Sequence, residues 1–159
     1  MRFRFSEEQD MFRRTVRGFA ERELTAEYLR ELDADARAPH WELLPKMAEL
    51  GFTSLPVPAA YGGMDGGVVD TTILLEELGR SSLSVASMLN FAIGFGCETV
   101  KRFGSDAQKQ DLLPKVARGE MCFAFSLTEP DAGSDAAALR TRAVADGDDF
   151  VIDGTKIFT

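Results

Sequence analysis

Apolar residues recur every three or four positions through the first part of the chain, with charged residues between them. Phe12, Val16, Phe19 and Leu24 form the clearest stripe, which is typical of an amphipathic helix. The segment Ser6-Glu-Glu-Gln9 precedes it and has the composition of a capping box. Further helices are predicted over residues 30–37, 41–50, 68–78 and 83–103, and from a second capping box at Ser105 to Gly119.

Two segments between the helices contain proline or glycine at short intervals. Residues 52–58 are apolar, and we predict an extended segment because Pro56 and Pro58 oppose a regular helix. Tyr61-Gly-Gly-Met-Asp-Gly-Gly67 matches neither GxGxxG nor a P-loop. It therefore predicts a turn with positive φ angles rather than a phosphate site.

The helix predicted over residues 83–103 is apolar on nearly all sides, which indicates burial on several sides. The uncharged run from Ser81 to Cys97 is 17 residues long and contains serines and Asn90, so a buried helix is expected rather than a membrane span. Gly94 and Gly96 interrupt the helix at a cost of about 1 kcal/mol each relative to Ala. Two interpretations stay open, either close packing at the glycines or room for an apolar ligand chain.

From Met121 the periodicity changes from helix towards strand. Met121 to Leu127 predicts a strand that opens into the polar loop Thr128–Asp135, where a hydroxyl, a carboxylate and backbone N–H groups are free for a ligand. Three shorter β-prone runs follow, over residues 140–145, 150–152 and 155–159. An Asp-Gly pair lies between each run and the next, which is typical of a hairpin turn. Because so few short strands do not close a sheet, we expect the chain to be part of a longer protein.

The composition of the chain argues against several classes of function. The 159 residues carry a formal net charge of −8, which argues against nucleic-acid and anionic-membrane surfaces. His40 is the only histidine, which leaves little for a histidine-ligated metal site or a serine–histidine triad. Cys97 and Cys122 lack a CxxC pattern, and no secretory signal precedes the first helix; reduced thiols and a cytoplasmic location are expected.

The polar loop also carries a family motif. Leu127-Thr-Glu-Pro-Asp-Ala-Gly-Ser-Asp135 resembles the LTEP-x-AGSD signature of the acyl-CoA dehydrogenase family, flavoproteins that desaturate acyl thioesters. The resemblance covers the whole chain, and Asp131 and Phe158 are departures from residues that are often glycine and tryptophan. Other segments are similar to family motifs in the same order: Ala60-Tyr-Gly-Gly63, Phe103-Gly-Ser-Asp-Ala-Gln-Lys109 and Asp153-Gly-Thr-Lys-Ile-Phe158.

The resemblance implies an α+β architecture. Residues 1–119 would form an all-α N-terminal domain, and residues 120–159 the first strands of a β-barrel-like middle domain. A C-terminal helical domain would be absent from this chain. FAD would lie between the β-domain and those helices. A homo-oligomer (dimer or tetramer), an acyl-CoA substrate and an electron-transfer flavoprotein as electron acceptor are also implied, without nucleic acid or membrane insertion.

The resemblance also implies residue roles. Ser134 would stand where the flavin and acyl-CoA sites adjoin, and Phe158 would pack beside the isoalloxazine. Phe91 and Gly94 would belong to the acyl pocket, with core packing as the open alternative. Residues implied to contact the cofactor are Phe125, Ser126, Leu127, Thr128, Gly133, Ser134 and Phe158.

The implied reaction removes the α-proton of the thioester and transfers the β-hydride to flavin. The family's base lies in the C-terminal domain, beyond Thr159, so no catalytic residue and no metal ligand is assigned here, and the isolated chain is expected to be inactive. Glu129, which precedes a proline, is predicted to structure its loop rather than to act as a base. Three other functions stay open: a non-catalytic acyl-thioester or partner-binding subunit, a dehydrogenase of acyl-carrier-protein thioesters, and a flavin monooxygenase.

Overall fold

The structure is a computed structural model that describes residues 4–34 and 41–158. It contains two units that divide between Phe123 and Ala124, and each is described by itself. The first unit is helical, and the second contains a two-stranded antiparallel sheet. The helices of the first unit are α1 (Glu7–Glu23), α2 (Ala26–Ala34), α3 (Leu43–Glu49), α4 (Val68–Gly79), α5 (Leu83–Leu89), α6 (Gly96–Phe103) and α7 (Asp106–Ala117), with a π-helical segment (Asn90–Phe95) and a 3₁₀ turn (Ala59–Tyr61).

Serine side chains cap the starts of α1, α5 and α7. Ser6 and Gln9 form the predicted capping box of α1, with reciprocal bonds of 3.1 Å. Ser105 and Gln108 form the second box, at the start of α7. Ser82 accepts a bond from the Val85 N–H and caps α5. Each side-chain cap pairs a backbone N–H that a helix start leaves without a partner.

An ion pair joins α1 to α4. The Arg17 guanidinium donates to both carboxylate oxygens of Glu77 at 2.9 and 2.8 Å, and Glu77 is only 4% exposed. Arg13 and Arg80 lie within 4 Å of the same carboxylate. Arg17 lowers the pKa of Glu77 through these hydrogen bonds. The contact fixes the two helices against each other beside the core.

The core of the helical unit is continuous and apolar. Phe19 and Phe52 meet edge to face with ring centroids 5.4 Å apart, a favourable aromatic geometry. The largest wholly buried side chains of the core cluster come from five of the α-helices, from the π-helical segment and from the segment after α3: Val16, Phe19, Leu43, Met47, Phe52, Val57, Leu74, Leu78, Leu89, Ile93 and Leu113.

Two predictions for the first half of the chain need correction. The second helix begins at Ala26 rather than Arg30, because the Thr25 hydroxyl accepts from the Tyr28 N–H and starts it earlier. Its predicted end, residues 35–37, lies outside the described residues. Residues 52–56 form turns rather than an extended segment.

The glycine-rich segment explains those turns. Gly62 has a φ of +81° as predicted, whereas Gly63 and Gly66 are required by close approach. A Cβ at Gly63 would lie 1.8 Å from the Val57 carbonyl oxygen, and one at Gly66 would lie 2.7 Å from that of Leu55. The carbonyls of residues 54, 55 and 57 are paired with N–H groups of residues 64–66, so the apolar residues bury in turns without losing hydrogen bonds.

The long helix Leu83–Phe103 buries one face rather than several. Val85, Leu89 and Ile93 are buried, whereas Phe91 and Phe95 are exposed and stack with centroids 5.5 Å apart. By length and composition this helix is apolar enough to cross a membrane, and among the described residues it is the only one. About 33% of its apolar window is buried, and core helices of soluble proteins have the same composition.

The second unit contains a hairpin and an extended loop. Strands β1 (Arg142–Asp146) and β2 (Asp149–Asp153) pair antiparallel, with Val144 opposite Val151, and Gly147 in the turn has a φ of +65°. Residues 121–127 and 155–158, both predicted as strands, are not strands in the structure. Among the described residues, neither segment forms a ladder of backbone hydrogen bonds with a neighbouring segment, and a strand requires one.

Candidate functional site

The motif loop begins beside the segment that follows β2. The Ile157 N–H donates to the Thr128 carbonyl at 2.9 Å, and the Lys156 ammonium donates to the Leu127 carbonyl at 2.9 Å. Phe158 is the next residue. Two stretches that are almost 30 residues apart are thereby held side by side at the point where both carry predicted site residues.

Glu129 stands at the centre of this contact and is 6% exposed. Its carboxylate accepts from the Arg140 N–H at 2.7 Å, from the Thr141 N–H at 2.9 Å and from the Lys156 ammonium at 2.9 Å, and it also accepts from the Thr141 hydroxyl. These bonds, led by the one from the Thr141 hydroxyl, lower the pKa of Glu129 to about 2. The prediction that Glu129 structures the loop is confirmed.

Beyond Glu129 the loop turns back on itself. Glu129 and Ala132 exchange two backbone hydrogen bonds of 3.0 and 3.1 Å, and Asp135 caps the short 3₁₀ turn Ala136–Ala138. Gly133 and Ser134 lie exposed between these two anchors. A Cβ at Gly133 would meet nothing within 4 Å, so space next to this backbone is open to a ligand.

Hydrogen-bond donors remain available at the start of the loop. Within residues 4–34 and 41–158 no bond from the Thr128 hydroxyl, or from the N–H of Leu127 or Thr128, is formed to the protein. Thr128 is half-buried, and Leu127 is exposed, as are Phe125 and Ser126. A planar heterocycle with carbonyl groups at its edge suits such a donor set, because backbone N–H groups recognise it without a special side chain. These residues therefore fit the edge of a flavin ring.

Phe158 ends the described chain in an unusual conformation. Its φ is +59°, in the left-handed region that aromatic residues rarely adopt, and its ring is 93% exposed. The bond from the Ile157 N–H to the Thr128 carbonyl anchors the residue before Phe158. An exposed aromatic ring at this position can cover one face of a flat ligand.

The helical unit contains a cavity of about 390 Å³ along the long helix. Gly94 lines it, whereas Phe91 does not and instead stacks on Phe95, which is a lining residue. The structure thus separates the two predicted acyl-pocket residues. The complete lining is Asn90, Gly94, Phe95, Glu98, Thr99, Arg102 and Phe103.

The two glycines of the long helix differ in their surroundings. A Cβ at Gly96 would lie 2.0 Å from the Phe123 ring, which is the close packing considered from the sequence. At Gly94 the nearest atom would be the Asn90 side-chain oxygen, at 2.6 Å, on the cavity side. Gly94 therefore leaves room beside a movable amide, as the ligand interpretation requires.

Sequence reasoning missed three polar residues that shape these places: Asn90, Thr141 and Lys156. Asn90 could have been found, because it is the one amide within the uncharged run from Ser81 to Cys97. Lys156 belongs to the Asp153–Phe158 motif, but its neighbours in the sequence do not indicate that its partner is Glu129, which is 27 residues away.

Comparisons with known proteins match the chain to one family. The family model "Acyl-CoA dehydrogenase, N-terminal domain" matches residues 6–120. The probable acyl-CoA dehydrogenase YngJ of Bacillus subtilis (strain 168) is 36% identical over 156 residues, which make up 98% of this chain and 40% of that protein.

Solved structures match as well. Butyryl-CoA dehydrogenase from Megasphaera elsdenii has a TM-score of 0.87 at 31% identity, over 99% of this chain and 42% of that one. An acyl-CoA dehydrogenase from Bacillus anthracis in complex with FAD has a TM-score of 0.81 at 32% identity, over 96% of this chain and 26% of that one.

The helical unit, followed by the motif loop and a two-stranded sheet, confirms the predicted fold class, an incomplete α+β architecture that is similar to acyl-CoA dehydrogenases of known structure. The chain belongs to the acyl-CoA dehydrogenase family. It spans about two fifths of the length of curated relatives that it matches.

Proposed function

We propose that this chain is the part of an FAD-dependent acyl-CoA dehydrogenase that faces the flavin ring edge and the acyl chain. The whole protein would oxidise an acyl-CoA thioester to the trans-2-enoyl thioester. The observation that carries the proposal is the loop at 127–134, where the Leu127 and Thr128 N–H groups and the Thr128 hydroxyl make no bond to the described protein and Gly133 borders open space. Membership of the family supports it.

The loop residues would bind and orient the cofactor. Backbone N–H groups of Leu127 and Thr128, with the Thr128 hydroxyl, would donate to the ring edge, and Phe158 would cover one ring face. Ser134 would lie where cofactor and thioester meet, and Phe125, Ser126 and Gly133 would complete the contact. When bound, FAD supplies the acceptor for the β-hydride.

The cavity of the helical unit would take the end of the acyl chain. Its apolar part comes from Phe95 and Phe103, and Gly94 leaves space between them and Asn90. Phe91 would act indirectly, by holding the Phe95 ring through their stacking. A larger residue at 94 would shorten the accepted acyl chain.

The α-proton would be removed by a carboxylate outside these residues. Glu129 is the carboxylate of the motif loop, but its pKa of about 2 makes it too weak a base for this step near neutral pH. The chain alone would therefore be inactive and would bind FAD weakly. A cytoplasmic homo-oligomer that passes electrons to an electron-transfer flavoprotein completes the proposal.

The experiment uses the full-length protein. Purified protein is expected to contain FAD whose visible absorption bleaches when an acyl-CoA is added without oxygen, and to reduce an acceptor dye. Thr128→Val removes one hydroxyl with little change in shape and should weaken FAD binding about fivefold. Thr155→Val, at an exposed position, is the matched control and should leave binding unchanged.

Two results would overturn the proposal. Protein that binds no FAD after reconstitution would favour a non-catalytic thioester-binding subunit. Protein that binds FAD but is bleached only by a carrier-protein thioester, or that consumes oxygen with reduced flavin, would favour one of the other family chemistries.

A further inference from the structure

The two stretches proposed to contact flavin are tied together by one set of polar groups. We call it the Glu129 cluster: the Glu129 carboxylate, the Arg140 N–H, Thr141 and Lys156. Lys156 is bonded to both the Glu129 carboxylate and the Leu127 carbonyl, each at 2.9 Å. The next residue, Ile157, donates to the Thr128 carbonyl.

The donors of the cluster stabilise the ionised form of the Glu129 carboxylate. Three N–H groups and one hydroxyl converge on a carboxylate that is 6% exposed, and one of those donors is an ammonium. A buried carboxylate is costly unless its oxygens are paired in this way. A Gln side chain has one acceptor oxygen, so its NH₂ group would face at least one donor and leave that donor unpaired.

The position of Gly154 supports a fixed contact. Gly154 has a φ of +159°, and a Cβ there would lie 2.2 Å from the Thr141 hydroxyl oxygen. The same hydroxyl donates to Glu129. The chain after β2 therefore passes against Thr141 without a side chain, and two residues later Lys156 reaches the carboxylate.

We propose that Glu129 is a positioning residue for flavin, which acts through Lys156 and Thr141 to hold Leu127 and Thr128 at a fixed place relative to Phe158. This inference rests on the proposed function. In this proposal Glu129 contacts neither the substrate nor the cofactor. The cluster sets the geometry between the donors for the ring edge and the aromatic side chain for the ring face, which a free loop would leave variable.

The test compares Glu129→Gln with Asp131→Asn in the full-length protein. Asp131 is a carboxylate of the same loop, exposed, with a single ion pair to Arg140 at 3.1 Å, and it serves as the matched control. In FAD-free protein, hydrogen exchange of the Thr141 and Ile157 amides should accelerate about tenfold or more in Glu129→Gln. Exchange in α1 and α4 should stay unchanged in both variants.

The flavin readouts separate positioning from stability. Glu129→Gln should bind FAD about tenfold more weakly, and at saturating FAD the visible absorption bands of the bound flavin should shift and lose fine structure. Asp131→Asn should match the unsubstituted protein within about twofold. Lys156→Met removes the same tether from its other end and should give the same spectrum. The double variant should then be no worse than either single one.

Each outcome decides the question. If Glu129→Gln accelerates amide exchange but leaves FAD affinity and the flavin spectrum unchanged, the cluster is structural only and the inference is wrong. If Glu129→Gln does not fold, Lys156→Met provides the same comparison, because it leaves the carboxylate three of its donors. Unsubstituted protein that binds no FAD would overturn the proposed function itself, whereas FAD binding with unaffected variants would overturn this inference alone.

Discussion

Replacing Glu77 by Gln should destabilise the helical unit by about 2 kcal/mol at neutral pH. Glu77 is almost wholly buried and receives two short bonds from Arg17. A bond to a charged partner contributes about 1.5–3 kcal/mol. Gln keeps one acceptor and turns its NH₂ group towards a guanidinium, so one such bond is lost. The full penalty for breaking a buried pair, about 3–5 kcal/mol, does not apply, because Arg17 is 37% exposed and regains water.

Urea unfolding of the two proteins across pH gives the measurement. The pKa of Glu77 is lowered in the folded state, so its stabilisation is fully present above the pKa of the unfolded chain and disappears as pH falls through the folded value. The difference between the proteins should therefore be constant from about pH 8 to pH 5 and shrink in more acidic solution.

Glu76→Gln is the matched control, since Glu76 is the exposed neighbour in the same helix. Its effect should stay within about 0.5 kcal/mol. A Glu77→Gln protein as stable as this control at pH 7, or a difference that grows on acidification, would refute the reasoning.

Two further predictions concern the long helix and the cysteines. Gly96→Ala should cost about 2 kcal/mol in thermal unfolding, because its Cβ would overlap the Phe123 ring. Gly94→Ala meets only a movable amide and should stay within about 1 kcal/mol; equal effects would contradict this packing. Burial raises the pKa of Cys97 to about 11 and also raises that of the half-exposed Cys122. Iodoacetamide at pH 8 should label Cys122 about tenfold faster than Cys97 by peptide mass, and equal rates would contradict the burial.

Local signals in the sequence predicted the helices well. Ser6 and Ser105 each stand three residues before a glutamine, and both boxes form because donor and acceptor are neighbours on the chain. Gly51 and Gly119 both adopt positive φ, at +77° and +68°, after α3 and α7. Such features depend on a few adjacent residues, which is why a stripe and its caps suffice to predict them.

Pairings between distant segments were not predictable in the same way. The turns at residues 52–56 depend on N–H groups of residues 64–66, and the absence of a strand over residues 121–127 depends on which segment lies beside it. The candidate site likewise has one part that the sequence predicts and one part that it does not. The motif drew attention to Leu127, Thr128 and Ser134, whose cofactor roles stay predictions, whereas the link from Glu129 to Lys156 is a tertiary contact that only the structure reveals.

The carboxylates of this chain also indicate what kind of residue must complete the site. Among the groups that the structure describes, four carboxylates have a pKa that departs from the ordinary value, Glu77, Glu98, Glu120 and Glu129, and in each hydrogen bonds that favour the charged form lower it. A base that removes an α-proton near neutral pH needs the opposite environment, an apolar one that raises its pKa towards the working pH. The surroundings of Glu77 and Glu129 suit carboxylates that hold segments together. The proposed reaction therefore needs a carboxylate in different surroundings, placed where the loop at 127–134 and the acyl thioester meet.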